Sequence, residues 1–250
     1  MRLVADVHGA SSALRRVAVG ARPLLVLGDL INFIDYRSFE GIVADVSGKE
    51  FVTEMVRLRR AEGFAAAGRL WHREQARRKE ELSSCYESAI EAAYVDVCAA
   101  LKGADAYVTY GNVDRPDLLE RHLPPGVVFV EAGVIDVDGL TVGIVGGGLT
   151  SIGIPGEITE DQMADRLNGL GPVDVLCTHV PPAIGPLAQD VIGGRQKGST
   201  AIVDYLERAR PGFHYFGDVH QPRATSWRVG STLCRNLGYF RATGRGFDHG

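Results

Sequence analysis

Short apolar runs recur along this chain, and several end on a glycine followed by an acidic or histidine-bearing cluster. Residues 3–5, 24–27, 106–109, 127–130, 142–145, 173–178 and 214–216 read as buried strands, because a strand covered on both faces is apolar at successive positions. A further pair, 226–229 and 233–236, is separated by Gly230-Ser231 and reads as a hairpin. Helical spacing lies between several of the runs. Residues 11–19 follow the first strand, and 201–210 carry Ile202, Leu206 and Ala209 on one face, with Ser199-Thr200 placed to cap that helix. Strands alternating with helices and closing on a hairpin predict a mixed α/β sandwich with its helices outside.

The segment 46–101 breaks this rhythm. It holds no strand-like run, but Phe51, Met55 and Leu58, then Tyr86, Ile90, Tyr94, Val97 and Leu101, repeat at helical spacing. Between them lies a basic stretch with Arg69, Arg73, Arg77 and Arg78 against Glu62 and Glu74. It reads either as the solvated face of a helical hairpin or as a lid or dimer-forming insertion that also attracts an anionic substrate. With no internal repeat and no low-complexity linker, residues 1–250 are expected to form one domain containing this insertion.

Composition narrows the class. The chain of 250 residues is 45% hydrophobic and has a net charge of −4, which gives no general attraction to nucleic acid or an anionic membrane. Its four cysteines, Cys85, Cys98, Cys177 and Cys234, form no CxxC pair, which predicts reduced thiols. No apolar stretch approaches the ~20 residues of a membrane span, and the first strand begins almost at Met1, leaving no room for a leader. A cytoplasmic location is expected.

The clusters at the strand ends carry the chemistry. In chain order they are Asp6-Val7-His8, Gly28-Asp29, Gly111-Asn112-Val113-Asp114, His179, and Gly217-Asp218-Val219-His220. Residues two apart in a strand share a face, so Asp6 and His8 are expected to address one ion from the end of the first strand. Carboxylates mixed with imidazoles suit Mn²⁺, Fe or Zn²⁺ better than Ca²⁺. One carboxylate has two oxygens and can serve two ions. Any one of these motifs is weak by itself; five of them, each just after a strand, are not.

The order DxH, GD, GNxD, H, GxxH resembles the calcineurin-like metallophosphoesterases, and within them the smaller bacterial phosphodiesterase-like members. The likeness runs from Leu3 to about Tyr239, skips the helical insertion, and includes Asn236-Leu237-Gly238-Tyr239. It implies a four-layer α-β-β-α sandwich of two mixed sheets, with two divalent metal ions at the strand ends. By that resemblance Asp6, His8, Asp29 and His220 match one ion's ligands. Asp29 again, with Asn112, His179 and the Asp218 position, matches the other's, and Asp29, Asn112 and Asp114 fall on catalytic positions. The implied reaction is hydrolysis of a small phosphodiester or phosphomonoester by a hydroxide shared between the ions, which lie ~3.5–4 Å apart in such centres.

Two positions depart from the family's pattern. Val113 stands where a histidine usually protonates the leaving oxygen, a function worth ~10²–10⁴-fold. His122 and His214 are the remaining candidates for a proton donor. Asp218 stands where another histidine is usual. It either ligates, giving a less positive centre that prefers Mn²⁺ or Mg²⁺, or turns away and leaves the second site weak. On the substrate side, Arg115, Arg195 and Lys197 are candidates for holding an anion, and Gly146-Gly147-Gly148 is either a phosphate-approaching turn or a plain loop. The sequence supports a metal-dependent phosphohydrolase. It also supports a binding protein on a degenerate phosphoesterase scaffold. A nuclease, which would rest on the basic insertion, is disfavoured by the overall acidity.

Overall fold

The computed structural model describes residues 1–20, 22–151, 153–191 and 197–250, with the side chains at 64, 80 and 81 excepted. Arg195 lies outside the described residues.

Thirteen strands are present among the described residues. In chain order they are β1 Arg2–Val4, β2 Leu24–Leu27, β3 Ala106–Thr109, β4 Val127–Phe129, β5 Ala132–Val137, β6 Leu140–Val145, β7 Gly148–Leu149, β8 Glu157–Ile158, β9 Val175–Thr178, β10 Phe213–Phe216, β11 Ser226–Val229, β12 Thr232–Asn236 and β13 Phe247–Asp248. One sheet has the order β13-β1-β2-β3-β4, the other β11-β12-β10-β9-β6-β5, and β7 pairs with β8. Both large sheets are parallel in the middle and antiparallel at an edge: β13 runs against β1, β5 against β6, and β11 against β12. Every strand expected from the apolar runs is present, with ends shifted by a residue or two. The 173–178 run starts its strand only at Val175, because Asp174 turns to exchange hydrogen bonds with the Thr141 backbone.

Alternation within each strand explains why these runs are apolar throughout. Leu24 and Val26 of β2 join the core that also holds Leu14, Met55, Tyr86 and Tyr94, whereas Leu25 and Leu27 join the core shared with Val142, Val175 and Tyr215. On the second sheet, Val175 and Cys177 face the shared core, and Leu176 faces Met163, Leu167, Ile202 and Leu206. Each sheet therefore has one face towards its partner and one towards helices, which gives the α-β-β-α sandwich.

The outer layers contain ten helices among the described residues: α1 Ser11–Ala18, α2 Ile42–Ser47, α3 Lys49–Glu62, α4 Phe64–Arg77, α5 Lys79–Ala99, α6 Pro116–His122, α7 Glu160–Leu170, α8 Gly185–Ala188, α9 Thr200–Ala209 and α10 Phe240–Thr243. Helices α2 to α5 fill the segment expected to be helical, and the helices begin at Ile42, slightly before 46. The stripe Tyr86, Ile90, Tyr94 and Val97 of α5 is buried against the first sheet. Much of the basic stretch is paired locally, with Arg57 on Glu54 and both Arg77 and Arg78 on Glu74. The Ser199 side chain caps α9 by accepting from Ile202 N at 3.2 Å. No described helix is long and apolar enough to cross a membrane.

Candidate metal centre

The parallel strands β1, β2 and β3 are neighbours, so their carboxyl ends lie side by side, and β9 and β10 do the same in the other sheet. Asp6 and His8 follow β1, Asp29 follows β2, Asn112 follows β3, His179 follows β9, and Asp218 and His220 follow β10. Loop-to-loop backbone bonds hold these ends together. Asp6 N donates to Gly28 O, His8 N to Asp29 O, and Gly217 N to His179 O.

The structure brings all seven candidate ligands into one cluster. His8 Nε2 lies 3.2 Å from His220 Nε2, 3.5 Å from Asp29 Oδ2 and 4.0 Å from Asp6 Oδ1. His220 Nε2 is 3.4 Å from Asp6 Oδ1. On the other side, His179 Nε2 lies 3.4 Å from Asp29 Oδ1, 3.3 Å from Asn112 Oδ1 and 4.0 Å from Asp218 Oδ1. Asp29 faces both halves, one oxygen to each. The strand pleat expected to aim Asp6 and His8 is not the cause, because β1 ends at Val4. Asp6 and His8 instead hold left-handed backbones, at φ 58° and 42°, as do Asp29 at 52° and Asp218 at 62°.

Glycines next to the ligands make room for this density. A Cβ on Gly111 would come within 2.2 Å of Asp29 Oδ1 and 2.6 Å of His179 Nε2. Gly28, at φ 86°, would place its Cβ 2.7 Å from His179 Nδ1. His179 Nδ1–H donates to Leu27 O at 2.8 Å, which fixes the tautomer and turns Nε2 towards Asp29 and Asn112. Tyr239 stacks on the His220 ring at 4.0 Å and meets His8 edge-on at 5.5 Å, and its hydroxyl donates to Asp35. Arg241 donates to His8 O at 2.7 Å.

The electrostatics match a place built for positive charge. Burial works to raise the Asp6 carboxyl, but the three imidazoles His220, His179 and His8 outweigh it and hold it at about 2. Burial opposes the His179 imidazolium, yet Asp29, Asp218 and Asp6 lift it to about 9. Burial dominates at His8 and lowers it. The donor set fits a divalent cation: Asp6 Oδ2 is buried with no hydrogen-bond partner, and two imidazole nitrogens and two carboxylates converge around His8. Asp6, Asp29 and His179 form a second group of the same kind.

The other sequence candidates have different places. Val113 donates its backbone N–H to Asp29 Oδ1 at 3.1 Å, while its side chain packs against the first core. Asp114 is buried and accepts from Leu30 N at 3.0 Å, Gly111 N at 2.9 Å and the Tyr94 hydroxyl at 3.2 Å. Burial and the nearby Asp29 push its carboxyl up to about 7, against the pull of those backbone donors. Asp114 thus joins the loop after β2 to the loop after β3. Tyr94, which sequence reasoning assigned only to a helix stripe, completes this joint by accepting from Arg115 N at 2.6 Å.

The two histidines offered as proton donors have other partners. His122 pairs with Glu91 at 3.0 Å, and His214 is buried against Thr178. The Arg115 guanidinium is held by Glu87 and Asp117. The 146–148 glycines are packing positions, since a Cβ on Gly148 would come within 2.2 Å of Asn112 Cβ. Lys197 does reach the centre, where its ammonium donates to Asp218 Oδ1.

No family model matches this sequence, and no curated protein does. Among solved structures, one crystal structure covers 96% of this chain and 90% of its own at 17% identity, with a TM-score of 0.58. The crystal structure of TT1561 of Thermus thermophilus covers 96% and 89% at 12% identity, with a TM-score of 0.51. Phosphopantetheinyl hydrolase (PptH) from Mycobacterium tuberculosis covers 97% and 91% at 16% identity, with a TM-score of 0.43. The first two likenesses establish a shared sandwich fold. At such identities the chemistry has to be argued from the site itself.

Proposed function

We propose that this chain is a metal-dependent phosphoesterase that hydrolyses a small phosphodiester or phosphomonoester with water. The observation that carries the proposal is the convergence of Asp6, His8, Asp29 and His220 within 4.0 Å steps at adjoining strand ends, with a buried Asp6 oxygen left unpartnered. These four would hold one divalent cation, Mn²⁺ being the best match to two carboxylates and two imidazoles. Asp29, Asn112, His179 and Asp218 surround the second position at which the resemblance expects an ion. Held by Asp6, His8, Asp29 and His220, a divalent cation would supply Lewis acidity towards water and neutralise phosphoryl oxygens. The chain's own part is positional. The Val113 amide and Asp29's two-sided reach hold the shared carboxylate, Leu27 O fixes the His179 tautomer, and Tyr239 fixes the His220 ring.

Val113 offers no proton to a departing oxygen, so the reading favours substrates whose leaving group departs without one, such as aryl phosphoesters. In the test, Asp29→Asn is expected to lose Mn²⁺ and bis-p-nitrophenyl phosphate hydrolysis together, each by about 100-fold or more, since even outer partners of a ligand cost ~10–100-fold. Normal hydrolysis by that variant would refute the assignment. Val113 also favours a second reading, a metal-binding scaffold without turnover. Bound Mn²⁺ with no hydrolysis of any phosphoester by the wild type would select it.

A further inference from the structure

Asp218 stands where a further imidazole would complete the second set of donors, and its carboxylate already has a cation. The Lys197 ammonium donates to Asp218 Oδ1 and also reaches the Asp218 carbonyl oxygen at 3.3 Å. Oδ1 is the same oxygen that faces His179 Nε2 across 4.0 Å. The lysine therefore holds the atom that a second ion would use.

Its position is built rather than incidental. Lys197 N donates to Ala188 O at 2.8 Å, and two residues on Ser199 pairs with Pro182 and donates its hydroxyl to Glu160 at 2.8 Å. A Cβ on the intervening Gly198 would come within 2.9 Å of the Ala183 and Pro182 backbone, so the chain is pressed against its neighbours there. The Lys197 side chain is only 31% exposed and that of Asp218 6%. Against a carboxylate as buried as that of Asp218, two cations sharing one oxygen repel. The Lys197 ammonium thus supplies part of the positive charge that the three carboxylates Asp6, Asp29 and Asp218 call for.

Resting on the metal-dependent reading above, we infer that the centre takes a single divalent cation, at Asp6, His8, Asp29 and His220, and that the Lys197 ammonium stands in for a second. There it offers an N–H to an anionic substrate oxygen, a task that a compact, strongly hydrated charge with three donors performs without a metal. This revises the two-ion expectation drawn from sequence.

The test is Mn²⁺ titration of the metal-stripped full-length chain, read by equilibrium dialysis and electron paramagnetic resonance. The wild type is expected to bind one Mn²⁺ with the six-line spectrum of an isolated ion. Lys197→Met combined with Asp218→His is expected to bind two, with the broadened spectrum of an exchange-coupled pair. Lys197→Met alone should bind the first ion at least as tightly as the wild type, since a repelling positive charge is removed, and should gain a weaker second one. Two coupled ions in the wild type overturn the inference, as does a single ion in both variants when their circular dichroism is native. No bound Mn²⁺ in the wild type refutes the metal-dependent reading itself.

Discussion

Gly111 gives the cleanest probe of how closely the centre depends on packing. Its φ lies outside the left-handed region, so alanine meets no backbone penalty, and the whole effect of Gly111→Ala is steric. The added methyl would sit 2.2 Å from Asp29 Oδ1 and 2.6 Å from both His179 Cε1 and Nε2. Comfortable contact begins near ~3.5 Å, so Asp29 and His179 must each retreat by roughly 1 Å. Metal ligation tolerates only about ±0.2 Å. The expected result is a loss of Mn²⁺ affinity of about 10–100-fold, together with about 1–3 kcal/mol of metal-free stability from overpacking. Calorimetric Mn²⁺ titration and urea denaturation in EDTA read the two effects separately. Gly133→Ala on β5 is the control, because the nearest atom to its Cβ is 3.8 Å away and no cost is expected. If Gly111→Ala bound Mn²⁺ within about threefold of the wild type, the crowding would be relieved elsewhere and the ligand role of Asp29 would be wrong.

Two further outcomes follow from buried polar groups. Tyr94→Phe removes a donor to Asp114 and leaves Arg115 N–H without its 2.6 Å acceptor, which should cost about 1–3 kcal/mol in urea denaturation of the metal-free protein; a change under about 0.5 kcal/mol would show that water replaces the hydroxyl. Burial holds His214 down at about 3, below its ordinary 6.5, so the unfolded chain takes up a proton there that the folded chain refuses. Its contribution is complete above pH 6.5 and lost as pH falls, by about 1.4 kcal/mol at pH 5.5 relative to pH 8. Urea titrations at the two pH values should show a correspondingly smaller drop for His214→Gln, and superimposable drops would mean that His214 protonates in the folded state.

What could be read in the sequence was whatever leaves a periodic or clustered trace. Strands buried on both faces, such as β2 and β9, are continuous apolar runs, and the stripe on α5 repeats at helical spacing, so both were visible. Strand β5 was not, because it is an edge strand whose residues alternate between exposed and half-buried and include Gly133 and Asp136. Helix α7 carries a start signal of its own: Thr159 and Gln162 form a reciprocal capping box, the Thr/Gln spacing that marks a helix start. At the site, the ligand types and their order were legible, but the aiming of Asp6 and His8 was not. It depends on loop backbone, which hydrophobic periodicity does not encode. The Lys197–Asp218 pair was equally hidden, since 21 residues separate its members and only the fold brings Pro182 beside Ser199.

The backbone at the centre bears on why residue 218 is an aspartate. Among the described residues seven non-glycines have positive φ, and four of these are Asp6, His8, Asp29 and Asp218. Such conformations cost of order 1–3 kcal/mol each and persist where surrounding bonds impose them, here Asp6 N on Gly28 O, His8 N on Asp29 O, and Asp218 N on Asp6 Oδ1. Aspartate tolerates the left-handed region better than most residues, which by itself would explain its presence at 218. His8, however, adopts the same conformation at φ 42° within the same cluster. The backbone at 218 would therefore accept a histidine, and conformation alone does not select the carboxylate. What distinguishes the position is the Lys197 ammonium bonded to its side chain, which a neutral imidazole would leave without a counter-charge. The residue at 218 and the lysine at 197 are best understood as one device, and a change at either alone should disturb the charge balance that the pair maintains.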